Sequence, residues 1–397
     1  MAESKRRRSK RSNGEGSVFQ RRDRGTWVAQ VPVGYYPNGN LKLKRYTCAT
    51  QAEARAKLRA AQDALDRGAN LGSPTQSLGT YLTAWLAEVV RPGLVPKTHE
   101  GYVYIVGLIT PTLGKIPLDK LTPQHVQKLL NDLLVGGGAG GRGLSPRTVQ
   151  YARATLRRAL GQALKWGLVT RNVATLIDPP KSRREEVQPY SEEEARRLLD
   201  AVAGDRLEAL YTTALALGLR QGELLGLRWE DVDLAKGKLQ VRQQVQQLRG
   251  QPPIIKALKT RASRRDLDLP AALVERLVAH RERQRREFAA QGRDWPGAGL
   301  LFPSTVGTPL IPRNLTRHYK RLLRRAELPE RRFHDLRHTA ASLMFAGGLE
   351  ATAVQRVLGH SSIAITNDTY IHLMPRTKRQ TAAVMEAFLR APREGHD

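Results

Sequence analysis

Four side chains near the carboxyl end of the chain could bind or attack a phosphate group. His334 and Arg337 are three residues apart, so on a helix they share one face. His360 follows Gly359, a predicted helix end, and Tyr370 lies ten residues further on. Arginine binds phosphate through paired hydrogen bonds, and a phenol can attack phosphorus if its developing charge is stabilised. Together the four residues indicate a partner that is anionic and tetrahedral.

Two predicted helices and a turn must position these side chains. The apolar residues of the first helix share one face, which we expect to be buried: Leu336, Ala340, Leu343 and Met344. Glycines 347–348 end this helix, and a second helix is predicted over 350–358, which places His360 at a helix-to-turn corner. Each residue alone is more often solvated, hydrogen-bonded or packed than catalytic, so only the combination predicts chemistry.

Three motifs occur here in a fixed order: His-x-x-Arg within HDLRH, then LGHSS, then the tyrosine. This order resembles the C-terminal signature of the tyrosine recombinases, or lambda-type phage integrases. Upstream, GLRQGEL resembles the family's first arginine motif and contains Arg220 and Glu223. The resemblance implies that Arg220 binds the scissile phosphate and that Glu223 supports the site by fixing Arg220.

The segment LKTRASRRDLDLP resembles the family's lysine motif on a β-hairpin, Lys-Thr-x-x-Ser-x-Arg. Lys259, Ser263 and Arg265 match that pattern. By this resemblance Lys259 would protonate the departing 5′-oxygen, and Lys256 is the alternative donor nearby.

The resemblance implies phosphoryl transfer without hydrolysis. Arg220 and Arg337 would donate hydrogen bonds to the transition state, and His334 and His360 would add further ones. With His334 taking its proton, Tyr370 would attack phosphorus and leave a 3′-phosphotyrosyl link and a free 5′-hydroxyl. The ester conserves the bond energy, so no cofactor, ATP or metal is expected.

The composition favours a nucleic-acid partner. The 397 residues suffice for two or three domains, and the formal net charge of +29, with a pI near 10.8, is spread along the chain. An anionic membrane is the competing partner, but no apolar run approaches the ~20 residues of a span, and the charged N-terminus is not a secretory signal. The single cysteine, Cys48, excludes an internal disulfide framework or a Cys-based zinc site. We expect a protein of the bacterial cytoplasm or nucleoid.

Residues 1–13 form a basic tail that we expect to be disordered, and residues 14–70 predict a small domain. Alternating apolar and polar residues predict strands at 17–21, 26–33 and 41–47, with a hairpin turn at Asn38-Gly39. A helix follows, capped by Thr50 and Glu53. This domain resembles the arm-type DNA-binding domain of integrases. Its exposed sheet face would contact DNA through basic residues: Arg21, Arg22, Arg24, Lys42, Lys44 and Arg45.

Residues 73–178 predict four helices, which resemble the family's core-binding domain. The last of these helices is predicted to begin at Ser145 and Pro146. Its candidate DNA-contact residues are Arg147, Arg153 and Arg157. We interpret the glycine-rich stretch 136–143 as a flexible loop. A phosphate-binding loop is the alternative, but no Gly-Lys-Ser/Thr ending follows it.

Residues 185–397 predict a mixed catalytic domain, with Ser191 and Glu194 capping its first helix. Strands are predicted at 238–247, 253–259 and 264–269, the last two forming a hairpin. The overall fold class is therefore α+β and mainly helical. Adjacent acidic residues offer an alternative, metal-dependent site: Glu230, Asp231 and Asp233. Metal-dependent chemistry needs carboxylates that converge from separate elements, whereas these three lie close together in the sequence. The metal site is therefore the less favoured alternative.

The sequence therefore predicts a site-specific DNA recombinase that integrates or excises a phage or mobile element at attachment sites. Double-stranded DNA with core-type and arm-type sites is the expected partner, and family analogy implies a homotetramer on DNA. The family's accessory DNA-bending protein and excisionase are further candidate partners. A type IB topoisomerase-like enzyme and a non-catalytic DNA-binding regulator are the alternatives.

The basic surface predicts salt-sensitive DNA binding. Each phosphate that a lysine or arginine neutralises releases condensed counterions, so affinity falls as salt concentration rises. Titrating a DNA duplex at several salt concentrations should give a steep negative slope of log affinity against log salt. A flat dependence would contradict the assignment of the net charge to phosphate contacts.

Overall fold

A computed structural model of the chain describes residues 15–21, 25–36, 38–66, 68, 71, 76–181, 188–258, 263–360 and 362–363. The chain divides into two compact units, residues 1–184 and 185–397. Helices predominate and the sheets are small, which confirms the predicted α+β, mainly helical class. Among the described helices, none combines the length and apolar character needed to cross a membrane.

The first unit begins with a three-stranded antiparallel sheet, as predicted. Its strands are β1 (Ser17–Gln20), β2 (Trp27–Tyr35) and β3 (Leu41–Cys48), in that spatial order. Gly39 adopts a φ of 81° in the turn between β2 and β3, a conformation that glycine tolerates without steric cost. Helix α1 (Gln51–Asp66) packs on the sheet.

The strand register corrects the expected distribution of basic residues on this sheet. Arg45 lies opposite Gln30, whereas Lys44 lies opposite Val31. Successive side chains of a strand point to opposite faces, so Arg45 is on one face, and Lys42 and Lys44 are on the other. The latter face also carries Ala29 and Cys48, which pack with residues of α1. A single exposed face therefore cannot carry all the predicted basic residues. Arg21 lies just after β1, and Arg22 and Arg24 lie outside the described residues.

The remainder of the first unit is helical. Its helices are α2 (Leu78–Trp85), which continues through the π-helical turn Leu86–Val90 into α3 (Arg91–Gly93), then α4 (Pro96–Leu113), α5 (Pro123–Gly136) and α6 (Pro146–Lys165). The predicted start of α6 is confirmed, because Ser145 accepts a hydrogen bond from the Thr148 N–H and Pro146 follows at the first helical position. The buried Tyr81 hydroxyl donates to the Ala159 carbonyl at 2.6 Å, which joins α2 to α6.

The glycine-rich stretch closes the turn between α5 and α6. The Gly138 N–H donates to the Arg142 carbonyl at 2.6 Å, and the Leu144 N–H donates to the Leu133 carbonyl at 2.9 Å. A Cβ at Gly143 would lie 1.8 Å from the Leu134 carbonyl oxygen. The chain can therefore follow this path only because position 143 carries no side chain.

This contact predicts a position-specific loss of stability. Gly143→Ala should lower the free energy of unfolding by about 1–3 kcal/mol, because the loop must shift to relieve the clash. Gly136→Ala is the matched control, since a Cβ there would meet only the Gly141 oxygen at 3.7 Å. Calorimetric unfolding of the full chain measures both. Equal midpoints for the two variants would contradict the argument.

The second unit combines helices with two small sheets. Its helices are α7 (Glu192–Val202), α8 (Glu208–Leu217), α9 (Gln221–Leu225), α10 (Ala271–Ala289), α11 (Pro312–Arg325), α12 (Asp335–Ala346) and α13 (Ala351–Leu358). Its strands are β4 (Val232–Asp233), β5 (Lys238–Val241), β6 (Gln243–Gln246), β7 (Ile254–Ala257) and β8 (Arg265–Asp268). The Ser191–Glu194 capping box at the start of α7 is confirmed.

The strand pairing differs from the expected hairpin of the last two strands. β7 pairs with β6, whereas β8 pairs with β5, and both pairs are antiparallel. The predicted single strand 238–247 divides at Arg242, so its two halves belong to different sheets. This division leaves β8 beside β5, in the sheet β4-β5-β8. Residues 259–262, between β7 and β8, lie outside the described residues.

A large apolar core supports the second unit. Tyr190, Tyr211 and Tyr319 are among its largest fully buried side chains. Helix α12 packs on α8 and on α13, and α9 packs on β6. The corners that follow α8 and α13 are thereby fixed relative to α12.

Candidate active site

Arg220 lies where the chain leaves one helix and starts another. Helix α8 ends at Leu217, and the capping residue Gly218 has a left-handed φ of 59°. Arg220 then occupies the position before the first residue of α9, and its N–H donates to the Glu223 carboxylate at 3.2 Å. This local hydrogen bond holds the Arg220 backbone at the start of α9.

Glu223 lies buried between two guanidinium groups. Arg220 Nη1 donates to one carboxylate oxygen at 2.7 Å, and Arg265 Nη2 donates to the other at 2.9 Å. Burial by itself would raise the pKa of this carboxyl, but the two arginines, Arg265 foremost, hold its pKa below the ordinary value of 4.5. Glu223 is therefore an anion that binds two cations, and the expected contact with Arg220 is present.

Arg337 reaches the same corner from helix α12. Its side chain is buried, and its Nη1 donates to the Gly218 carbonyl at 2.8 Å. At the start of α12 the Asp335 carboxylate accepts from the Arg332 N–H at 2.8 Å and from the Arg332 guanidinium. Asp335 thus fixes the first turn of the helix that carries Arg337.

His360 follows the end of α13. Gly359 has a left-handed φ of 68°, and the His360 N–H donates to the Gln355 carbonyl at 3.2 Å. Arg220 Nη2 donates to the Gly359 carbonyl at 3.1 Å. The first arginine motif therefore contacts the backbone directly beside His360, although 139 residues separate the two bonded groups.

The histidines of this site favour their neutral form. Burial first, and then the positive charge of Arg337, lower the pKa of His334 below 6.5. The same two causes, together with Arg220, lower the pKa of His360 to about 4. Neutral imidazoles at pH 7 can each both accept and donate a hydrogen bond.

Our sequence interpretation missed one histidine. His338 lies one helical turn after His334, and the two rings meet edge to face with centroids 5.4 Å apart. Burial foremost lowers the pKa of His338 to about 4, with His334 and Arg337 contributing. The i, i+4 spacing within HDLRH was the available signal, because residues four apart share a helix face.

Two predicted catalytic residues, Lys259 and Tyr370, lie outside the described residues. The alternative lysine, Lys256, lies in β7 opposite Gln244. The carboxylates considered for a metal site bind basic side chains instead. Arg228 donates twice to Asp231, at 2.7 and 3.0 Å, and Lys236 lies 3.5 Å from Asp233. Within the described ranges, no group of three or more His, Cys, Asp or Glu side chains is placed to hold a metal ion.

The candidate DNA-contact residues of α6 differ in their surroundings. The Arg147 guanidinium lies 4.9 Å from the centre of the Tyr151 ring. Arg153 donates to the Ile177 carbonyl, which ties α6 to the segment after it. Arg157 is exposed. Arg153 therefore has a structural contact, whereas Arg147 and Arg157 lie at the surface of α6.

Comparison with known proteins places the chain in a family. The model of the phage integrase family matches residues 189–376, a range that includes all six predicted active-site positions. The model of an N-terminal SAM-like domain of phage integrases matches residues 77–134. A XerC-like tyrosine recombinase of Caldanaerobacter subterraneus is 32% identical over 368 residues, covering 88% of this chain and 92% of that protein. The chain belongs to the phage integrase family. It is a tyrosine-type site-specific recombinase, an enzyme that breaks and rejoins DNA.

Other integrases extend the similarity along the chain. An integrase of Streptomyces ambofaciens is 30% identical, covering 96% of this chain and 99% of its own length. The Tn1549 transposon integrase, solved in complex with circular intermediate DNA, shares 20% identity at a TM-score of 0.65 and covers 79% of this chain and 100% of that chain. A lambda integrase tetramer bound to a Holliday junction shares 19% identity at a TM-score of 0.56, with 91% and 96% covered. At these identities the two structures show a shared fold.

The lowered histidine pKa values predict a loss of stability in acid. The pKa of His360 is about 4 in the folded protein and 6.5 ordinarily, so between these values the unfolded chain binds the proton more readily. Stability should therefore fall as the pH drops from 6.5 towards 4. Urea unfolding at several pH values should show a smaller loss for His360→Gln than for the wild type. Parallel pH profiles would contradict this assignment.

Proposed function

We propose that the residues around Glu223 bind the scissile phosphate of DNA and that Tyr370 attacks it. The observation that carries the proposal is the convergence of Arg220 and Arg337 on one corner of the fold. Arg337 binds the carbonyl of Gly218, two residues before Arg220, and Arg220 binds the carbonyl of Gly359, directly before His360. Cations from two separate helices thus gather beside two neutral histidines, which suits the charge of a phosphoryl transition state.

In this scheme the arginines stabilise the charge that develops on the non-bridging oxygens. The Arg220 side chain is 38% exposed and therefore accessible to a phosphate. Arg337 is buried, and a charge in such surroundings acts through a lower effective dielectric than a surface charge does. His334 and His360 donate further hydrogen bonds. His334, kept neutral by burial, accepts the phenolic proton of the attacking tyrosine.

Each step of the reaction replaces one phosphate ester bond with another. The Tyr370 oxygen forms a bond to phosphorus while the bond to the 5′-oxygen breaks, and Lys259 supplies the proton to that leaving oxygen. A 5′-hydroxyl of a second duplex then attacks the 3′-phosphotyrosyl ester and releases the tyrosine. Because the ester retains the bond energy, the scheme requires neither ATP nor a metal ion.

We propose that the three parts of the chain divide the binding of DNA. Residues 14–70 would bind arm-type sites, residues 73–178 core-type sites, and residues 185–397 would perform catalysis, with a basic tail at 1–13. DNA complexes of the Tn1549 and lambda integrases support DNA binding, and the lambda tetramer on a Holliday junction supports a tetrameric assembly. Accessory DNA-bending and excision proteins would act with this assembly.

The biological reaction that we propose is integration and excision of a phage or mobile element at attachment sites, in the bacterial cytoplasm or nucleoid. Relatives support it by name: an ICEBs1 integrase of Bacillus subtilis is 24% identical over 374 residues. A putative prophage phiRv2 integrase of Mycobacterium tuberculosis is 26% identical over 374 residues.

Covalent trapping tests the nucleophile. A nicked duplex carrying a core site that the protein binds should yield a protein–DNA band on a denaturing gel, with chelator present and magnesium absent. Tyr370→Phe should abolish the band because it removes the attacking oxygen, and it should leave binding affinity within about threefold.

The alternatives predict different outcomes in this assay and in a DNA relaxation assay. A non-catalytic regulator would bind the site and give no band with either protein. A type IB topoisomerase-like enzyme would give the band and relax supercoiled DNA without exchanging strands between two duplexes. A band of equal intensity from Tyr370→Phe would assign the nucleophile to another residue.

A further inference from the structure

We infer that Arg265 is a positioning residue of the recombination site. It holds α9, the end of α13 and its own strand β8 in place relative to one another. This inference rests on the proposed function of Arg220 and His360. The sequence motif singled out Arg265 only as a pattern match, without a role. Its contacts in the folded chain supply one.

Each nitrogen of the Arg265 guanidinium group donates to a different acceptor, and two of the three acceptors belong to other elements. Nη2 donates to the Glu223 carboxylate of α9 at 2.9 Å, and Nε donates to the Val357 carbonyl near the end of α13 at 2.6 Å. Nη1 donates to the Ser263 carbonyl at 3.0 Å. The side chain is only 7% exposed. Arg265 therefore acts within the protein, and it is not a group that touches the DNA.

The backbone of Arg265 is fixed by the sheet β4-β5-β8. Arg265 begins β8 and pairs with Val241 of β5, while Leu267 of the same strand is buried in the core. Because its backbone is held in the sheet, the Arg265 guanidinium group fixes α9 and α13 relative to β8. It also binds the carbonyl of Ser263, which directly follows residues 259–262. That stretch contains Lys259.

Arg265 and Arg220 share one partner and bind close to each other at the end of α13. Both bind the Glu223 carboxylate, and they bind neighbouring carbonyl groups of the corner that leads to His360, those of Val357 and Gly359. A buried carboxylate that loses one of two cations becomes costly, and it binds the remaining cation more tightly. Removing Arg265 should therefore draw Arg220 towards Glu223 and away from the phosphate, and should free the end of α13.

Single-turnover cleavage by the full chain tests this role. On the nicked core duplex, at protein concentrations that saturate binding, Arg265→Ala should slow formation of the covalent complex by about 100-fold or more, the size expected from a misplacement of about 1 Å. Its dissociation constant for the duplex should stay within about threefold of the wild type.

Arg264→Ala is the matched control. Arg264 is the exposed neighbour of Arg265, and its side chain donates a long hydrogen bond of 3.5 Å to the Leu258 carbonyl. Arg264→Ala removes the same formal charge from the position directly before β8, and cleavage should remain within about threefold of the wild type.

Rescue experiments separate positioning from general stability. A pocket of about 620 Å³ is lined in part by Arg265, so a guanidinium ion added to the Arg265→Ala protein has an approach to this position. Guanidinium at concentrations below unfolding should restore part of the cleavage rate of this variant and none in Arg264→Ala. Arg265→Lys should retain the fold through its charge but remain at least about tenfold slow, because an ammonium cannot form the three directed bonds.

The outcomes are distinct. Cleavage by Arg265→Ala or Arg265→Lys within threefold of the wild type would overturn the positioning role, as would equal guanidinium effects on both alanine variants. If Arg265→Ala loses its unfolding transition, the rate of the folded Arg265→Lys protein decides. Failure of the proposed function has another signature: the wild type itself would give no Tyr370-dependent covalent complex on a site that it binds.

Discussion

The geometry of the site depends on one buried charge. A carboxylate removed from water is stable only when cations and hydrogen bonds compensate it. Glu223 meets that requirement with Arg220 on one oxygen and Arg265 on the other. Since the two arginines belong to different elements, satisfying this single charge fixes α9 and β8 relative to each other. The same two guanidinium groups bind carbonyls near the end of α13, which extends the constraint to the corner that carries His360.

Glycines make the close approach of these segments possible. A Cβ at Gly218 would lie 2.6 Å from Leu358 of α13 and 3.2 Å from Ala340 of α12, and the left-handed φ at this position already favours glycine. A Cβ at Gly222 would lie 2.9 Å from the Val245 carbonyl of β6. The Gly218 carbonyl can therefore meet Arg337, and α9 can lie directly on β6. The arginines can converge because glycines leave no side chain between the backbone segments that carry them.

Behind the site, a buried network of hydroxyl groups holds α12 in place. The Tyr190 N–H donates to the Thr339 hydroxyl at 3.0 Å, and the Tyr319 hydroxyl donates to that of Tyr190 at 3.2 Å. The Tyr190 hydroxyl in turn donates to the Pro329 carbonyl at 3.0 Å. Thr339 lies two residues after Arg337, so the start of the second unit is tied to the helix that carries the second arginine. Rigid support of this kind keeps a catalytic constellation in place.

The sequence by itself determined the local features of this protein. Capping residues such as Ser191 and Glu194 mark helix starts through bonds that span three residues, and alternation marks the strands of the first sheet. Ordered motifs identified the family, and the pattern of predicted elements identified the mainly helical class. Strict alternation also separates Lys44 from Arg45, and applying it fully would have avoided the error on the sheet face.

Only the tertiary structure decided which distant segments meet. Three kinds of contact join residues that lie far apart in the chain. They are the pairing of β8 with β5, the two carbonyl contacts at the end of α13, and the sharing of Glu223 by Arg220 and Arg265. The partners of Arg265 lie 42 and 92 residues away, except for Ser263. Propensity and periodicity act over a few residues, whereas strand pairing and the neutralisation of a buried charge are settled by competition among all segments that can pack together.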